Sequence, residues 1–152
     1  MCLTHAIQSG EKYAIFLEDD ARLSNASHLC DEAARKPFLE SIPEDAFLVM
    51  LGGHRWKWSE RRVGSFRGSV HSFGSYGFTV PRENLRALRT TFVESLGSRG
   101  DMIGPDVEWY SSSKKHGKHV FAHDPLLVCH NEGYSKTWNS TRGGLRAGSL
   151  DE

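Results

Sequence analysis

The segment Tyr13-Ala14-Ile15-Phe16-Leu17-Glu18-Asp19-Asp20 passes from five apolar residues directly to three carboxylates. A short, continuous apolar run is typical of a strand that is buried on both faces of a sheet. A second run of this kind, Phe47-Leu48-Val49-Met50-Leu51, ends at Gly52-Gly53. The segment between the two runs has a helical pattern, and strands that alternate with helices predict a layered α/β fold.

Further elements are predicted on both sides of these strands. Helices are expected over 3–9, 27–41, 81–96 and 106–115, strands over 76–80, 119–122 and 126–129, and a loop or irregular strand over 54–72. Ser24 or Ser27 is the expected N-cap of the second helix, and Pro81 suits the first turn of the third. The sequence then becomes polar and Gly-rich, so we expect an α/β domain over 1–133 and a partly disordered tail over 134–152.

Composition limits the class of protein. The 152 residues suit one domain. Nineteen basic residues balance nineteen acidic ones, so no net field attracts the chain to nucleic acid or to an anionic membrane. No apolar run approaches the ~20 residues of a membrane-spanning helix, and the N-terminus has no signal-peptide pattern. We therefore expect a cytoplasmic protein without a membrane span.

The carboxylates Glu18, Asp19 and Asp20 are the sharpest chemical feature. They follow a strand, and the carboxyl ends of strands are where open α/β sheets place ligands. Strand alternation puts Glu18 and Asp20 on the same side, where two carboxylates can hold Mg²⁺ or Mn²⁺ and, through the cation, phosphate oxygens. The alternative is an exposed acidic turn without a ligand.

Four segments, taken in order, resemble the family 25 glycosyltransferases, which include lipooligosaccharide and collagen galactosyltransferases. The segments are Cys2-Leu3-Thr4-His5 with the strand that ends at Glu18-Asp19-Asp20, Gly74–Val80, Asp106–Tyr110, and Pro125–His130 followed by Ser135. The resemblance implies a mostly parallel sheet with flanking helices, of the Rossmann-like GT-A type. The first βαβ unit of that fold has no counterpart before Cys2, so the chain is expected to be short at its N-terminus.

The same resemblance implies a function. It indicates metal-dependent transfer of a sugar from a nucleotide-sugar donor, a UDP-sugar, to a hydroxyl of a glycan or glycoprotein, with inversion at the sugar carbon. Glu18, Asp19, Asp20 and His130 would hold the Mn²⁺ or Mg²⁺ ion. Asp106 would be the general base, with Glu108 as its alternate, although a helix N-terminal cap also explains Asp106. The expected substrate-binding residues are His5, Trp56, Trp58, Arg61, Arg62, Tyr76 and Ser135.

The segment 54–67 allows other interpretations. It carries five Arg or Lys residues against one Glu, with Trp56 and Trp58 interleaved. Such residues can stack on sugars and neutralise a leaving diphosphate, or can bind single-stranded nucleic acid. They can also form a solvated loop with two half-buried tryptophans. The alternatives to a transferase are therefore a nucleic-acid-binding module, against which the balanced charge argues, and a catalytically inactive glycosyltransferase-like binding domain. The acidic triplet also allows a metal-dependent hydrolase.

Overall fold

The computed structural model describes residues 2–24, 29–98, 105–130, 133–135 and 140–142. Their elements, in chain order, are α1 (Cys2–Ser9), β1 (Tyr13–Leu17), β2 (Ala21–Leu23), α2 (Glu32–Glu40), β3 (Ala46–Val63), β4 (Phe66–Pro81), a 3₁₀ helix (Arg82–Asn84), α3 (Leu85–Ser98), α4 (Pro105–Lys115), β5 (His119–His123), β6 (Val128–His130), β7 (Gly133–Ser135) and β8 (Ser140–Arg142). None of the described helices is both long and apolar enough to span a membrane.

Strands β3 and β4 form one long antiparallel hairpin that includes the predicted loop 54–72. The turn is tight, with Val63 paired to Phe66 and Gly64 at a φ of +57°, a conformation that favours glycine. The pairing contains register shifts between Met50 and Arg62. The first four residues of β4, Phe66–Ser69, pair with β5 as well.

The main sheet has the strand order β1-β4-β3-β5. Among the described pairings only β3 with β5 is parallel, from Ala46 opposite His119 to Met50 opposite Ala122. The expected α/β class is confirmed, since helices flank a mixed sheet, but the expectation of a mostly parallel sheet is wrong. The physical reason is the connection between β3 and β4, because a two-residue turn reverses the chain direction whereas a parallel pair requires a long crossover.

Apolar side chains cover both faces of this sheet. Val49 and Leu51 of β3 belong to one cluster, which includes Phe38 of α2 and which we call the α2-face cluster. Met50 belongs to a second cluster with residues of α3 and α4, the α3/α4-face cluster. Residues Ala46–Leu51 are fully buried, which confirms the interpretation of the second apolar run. For strand β1 the expected burial on both faces is wrong, because β1 lies at the end of the strand order, its first four residues are only half-buried and Leu17 is 49% exposed.

Strand β6 crosses the main sheet over Gly52 and Gly77. The Leu127 amide donates a hydrogen bond of 2.9 Å to the Leu51 carbonyl. A Cβ atom on Gly52 would overlap the Val128 carbonyl oxygen, and one on Gly77 would lie 3.2 Å from Val128 Cγ2. Glycine at position 52 therefore allows the crossing, which in turn positions β2, the antiparallel partner of β6.

The helix boundaries follow their capping residues. Helix α2 begins at Glu32 rather than near residue 27, because the Asp31 side chain accepts a 2.9 Å hydrogen bond from the Ala33 amide and acts as the N-cap. Pro81 ends β4 and precedes the 3₁₀ helix that leads into α3. Ser27, one of the two expected caps, lies outside the described residues. Strands β7 and β8 pair with each other, and the rest of the predicted tail also lies outside the described residues.

Candidate functional site

The acidic triplet forms the turn between β1 and β2. The Glu18 amide donates to the Tyr76 carbonyl at 3.1 Å, and the Ala21 amide donates to the Glu18 carbonyl at 3.1 Å. Glu18 and Asp19 are exposed, whereas Asp20 is half-buried and its Oδ1 atom is inaccessible to solvent. The turn is therefore fixed to β4 by its backbone and presents carboxylates at the end of β1.

The pairing of β2 with β6 brings His130 to this turn. Ala21, the residue after the triplet, lies directly opposite His130 in the antiparallel register. The backbone thus brings together two of the predicted ligand segments that are distant in sequence. The His130 side chain lies outside the described part of the chain. Among the described side chains, no three His, Cys, Asp or Glu residues are grouped as a metal site.

The residue types at this place fit a hard divalent cation. Carboxylate oxygens are the preferred ligands of Mg²⁺ and Mn²⁺, and an added imidazole favours Mn²⁺ over Mg²⁺. Three adjacent carboxylates repel one another when no positive charge is near. A cation at the turn would reduce this repulsion for Glu18, Asp19 and Asp20.

Tyr76 is paired with a histidine that the sequence analysis did not select. The Tyr76 hydroxyl lies 2.7 Å from Nδ1 of His54, and the two rings stack with centroids 5.8 Å apart. Gly74 has a φ of +70°, and a Cβ atom there would lie 2.8 Å from the His54 ring. Since Tyr76 also accepts the Glu18 amide, the His54–Tyr76 pair is connected to the acidic turn. The position of His54 directly after Gly52-Gly53, at the end of an apolar run, was the available signal.

The two tryptophans of β3 are on the other side of the sheet. Trp56 and Trp58 stack with centroids 4.8 Å apart, and the Arg67 guanidinium lies 4.6 Å from the Trp58 ring centroid. Both indoles pack against the α3/α4-face cluster, whereas Tyr76 and Ala21 belong to the α2-face cluster. The structure does not bring Trp56 and Trp58 together with the acidic turn.

Arg61 and Arg62 are held in ion pairs. Arg61 Nη2 lies 2.5 Å from Asp45 Oδ2, and Arg62 Nη2 lies 3.2 Å from Asp124 Oδ2. These pairs connect the end of the hairpin to the residues that precede β3 and follow β5. A diphosphate that used these guanidinium groups, as the sequence analysis expected, would compete with the two carboxylates.

The remaining predicted residues lie on three different elements. His5 is exposed on α1. Asp106 is the second residue of α4, and Ser135 pairs with Ser140 in the β7–β8 ladder. The side chains of Asp106 and Ser135 lie outside the described residues. Helix α4 packs against β4, because Trp109 contacts Phe78 edge to face with ring centroids 5.0 Å apart.

Replacement of Trp58 by alanine tests whether the indole pair is structural. The stacked contacts predict a loss of about 2 kcal/mol in the free energy of unfolding, and no change in a titration with a UDP-sugar, the ligand that the family resemblance implies. Chemical denaturation and calorimetric titration measure the two quantities. Lys57→Ala, at the exposed neighbouring position, is the matched control and should change neither. Weaker UDP-sugar binding with an unchanged free energy of unfolding would instead support the predicted role of Trp58 in substrate binding.

Comparison of the chain with protein-family models and with curated proteins gives no match.

Proposed function

We propose that this chain is a metal-dependent glycosyltransferase domain that uses a nucleotide-sugar donor. The observation that supports it best is the register of β2 with β6, which puts Ala21 opposite His130 immediately after Glu18-Asp19-Asp20. A carboxylate turn and an imidazole-bearing strand end are thereby adjacent. The order of the motifs in the sequence supports the same proposal, because these are the segments that resemble family 25.

In this proposal the cation is held by oxygens of the acidic turn and by His130. A divalent cation there would neutralise charge that develops on the diphosphate of the departing nucleotide, which is a large contribution in this class of reaction. Asp106 accepts the proton of the acceptor hydroxyl. The acceptor is a hydroxyl of a glycan or glycoprotein, and the donor is a UDP-sugar.

We also propose that the sheet is a divergent member of the GT-A type. Helices on both faces and a candidate ligand turn at the end of β1 agree with that type, while the antiparallel hairpin is a departure from the expected parallel order. The nucleic-acid interpretation has less support, because Arg61 and Arg62 already pair with carboxylates. An inactive binding domain would still be stabilised by the divalent cation but would not transfer sugar.

Thermal unfolding with and without Mn²⁺ tests the metal site. A cation that binds only the folded chain stabilises it by about 2.7 kcal/mol at a hundredfold excess over its dissociation constant. For a chain of this length we expect a rise of about 5–10 °C in the midpoint. Asp20→Asn should abolish the rise, because it removes one ligand charge with little change in shape.

Glu60→Gln is the matched control for this experiment. Glu60 is an exposed carboxylate on the hairpin, away from the turn between β1 and β2. Its variant should respond to Mn²⁺ as the unmodified chain does. If Asp20→Asn and the unmodified chain respond equally, the acidic triplet is a surface turn and the metal assignment fails.

A further inference from the structure

A second concave surface lies at the other end of β1. This pocket of about 540 Å³ is lined by Ile7, Gly10, Lys12, Arg82, Glu83 and Arg86. Its volume is within the range of about 300–1,000 Å³ that small-molecule sites occupy. Lys12 precedes β1 and the acidic triplet follows it, so at ~3.3 Å per residue the two places are about 20 Å apart. The pocket is therefore separate from the candidate metal site.

The Arg82 side chain of this pocket is fixed by the backbone. Arg82 donates from Nη1 to the Gly10 carbonyl at 2.6 Å, and its amide donates to the Lys12 carbonyl at 2.9 Å. Gly10 ends α1 at a φ of +84°. Arg86 follows four residues after Arg82, at the start of α3, and both residues line the same pocket.

Among the described lining residues the one carboxylate, Glu83, is paired with a lysine from outside the lining. Lys118 Nζ lies 3.1 Å from Glu83 Oε1. Burial alone would raise the pKa of the Glu83 carboxyl, but a backbone hydrogen bond and the ammonium groups of Lys118 and Lys12 together hold that pKa below its ordinary value. Glu83 is thus an anion with its own cationic partner, and Lys12, Arg82 and Arg86 leave an excess of positive charge in the pocket.

We infer that this pocket binds the phosphate group of a phosphorylated ligand. Guanidinium groups bind phosphate oxygens through pairs of charge-assisted hydrogen bonds, and Lys12, whose Nζ lies 5.3 Å from the Tyr13 ring centroid, adds an ammonium group. The pocket is larger than a phosphate group alone, and Ile7 provides an apolar wall for the body that carries the phosphate. The phosphate can belong to a soluble phosphomonoester or to a lipid headgroup.

Calorimetric titration with glucose 6-phosphate in EDTA tests the soluble source, with glucose as the unphosphorylated comparison. We expect glucose 6-phosphate to bind and glucose not to bind. Arg86→Gln should raise the dissociation constant about tenfold, the effect of losing a hydrogen bond between charged groups. Arg89→Gln, exposed on the same helix but outside the pocket lining, is the matched control and should leave the constant unchanged.

Sedimentation with phosphatidylglycerol vesicles, compared with phosphatidylcholine vesicles, tests the lipid source. The site is supported if either experiment shows binding that is weaker in Arg86→Gln and unchanged in Arg89→Gln. The experiment that shows the binding identifies the source of the phosphate. The proposal is overturned if neither experiment shows binding, or if Arg86→Gln and Arg89→Gln lose the same amount of affinity. Lys12→Gln replaces Arg86→Gln if the thermal midpoint shows that the latter is unfolded. Asp20→Asn should bind as the unmodified chain does, so failure here is distinct from failure of the metal site.

Discussion

Replacement of Gly52 by alanine should lower the free energy of unfolding by about 3 kcal/mol, at the upper end of the usual cost of overpacking. The added Cβ would overlap the Val128 carbonyl oxygen and lie 3.0 Å from the Val128 carbonyl carbon. Both atoms are backbone atoms, so no side-chain rotation relieves the overlap. For a chain of this length the midpoint of thermal unfolding should fall by about 6–12 °C.

The same substitution should affect the candidate site. Strand β6 must move away from the main sheet to accept the Cβ atom, and β2 is paired to β6 through Ala21 and His130. Since the acidic turn is attached to β4 through the Tyr76 carbonyl at one end and continues into β2 at the other, a displaced β6 would distort the turn of the proposed metal site. The Mn²⁺-dependent rise of the thermal midpoint should therefore be smaller in Gly52→Ala than in the unmodified chain.

Gly64→Asn is the control for the loss of a glycine as such. Gly64 lies in the hairpin turn at a φ of +57°, and a Cβ atom there would have no atom of the described residues within 4 Å. Asparagine tolerates this left-handed conformation better than most residues, so the cost should stay below about 1 kcal/mol. A Gly52→Ala chain as stable as Gly64→Asn would show that β6 does not cross the sheet as closely as described.

The apolar strands were predictable because a strand that is buried on both faces consists almost entirely of apolar residues. Residues Ala46–Leu51 have side chains in both apolar clusters and are fully buried, so the sequence there is continuously apolar. Strand β1 has a similar composition but lies at the end of the strand order. Composition alone does not separate a central strand from an edge strand, because both can bury most of their apolar surface under helices.

The hairpin was harder to predict, although a signal was present. Trp56 and Trp58 alternate with Arg55 and Lys57, which is the period of a strand with one covered face. The many charged residues and glycines in 54–72 favoured the loop interpretation. Strand direction was not predictable at all, because it depends on the tight turn at Gly64 and on pairings with partners far away in the sequence.

The candidate site was predicted only in part, for a related reason. Glu18, Asp19 and Asp20 follow an apolar run in the sequence, so their place at a strand end could be inferred locally. The ion pairs of Arg61 with Asp45 and of Arg62 with Asp124 join residues from different elements. Only the folded chain decides whether such a guanidinium faces a carboxylate of the protein or a ligand.

If the proposed function holds, Asp106→Asn should reduce kcat for sugar transfer by about 10²–10⁴-fold, the usual contribution of a general base. Asparagine keeps a polar side chain that can cap the free amides of α4, so the free energy of unfolding should change by less than about 1 kcal/mol. Release of UDP from UDP-galactose in Mn²⁺, with a glycan as acceptor, measures the rate. The prediction thus separates a catalytic role from the capping role that the sequence also allows.

Glu108→Gln is the informative companion to Asp106→Asn. Glu108 lies two positions further along α4, a spacing at which two side chains of a helix do not face each other. Glu108 is half-buried. The Glu108→Gln chain should retain most of the transfer activity. Loss of activity in Glu108→Gln with an active Asp106→Asn chain would move the base to Glu108. If both variants transfer sugar at the unmodified rate, α4 supplies no base, and Asp106 serves only the helix terminus.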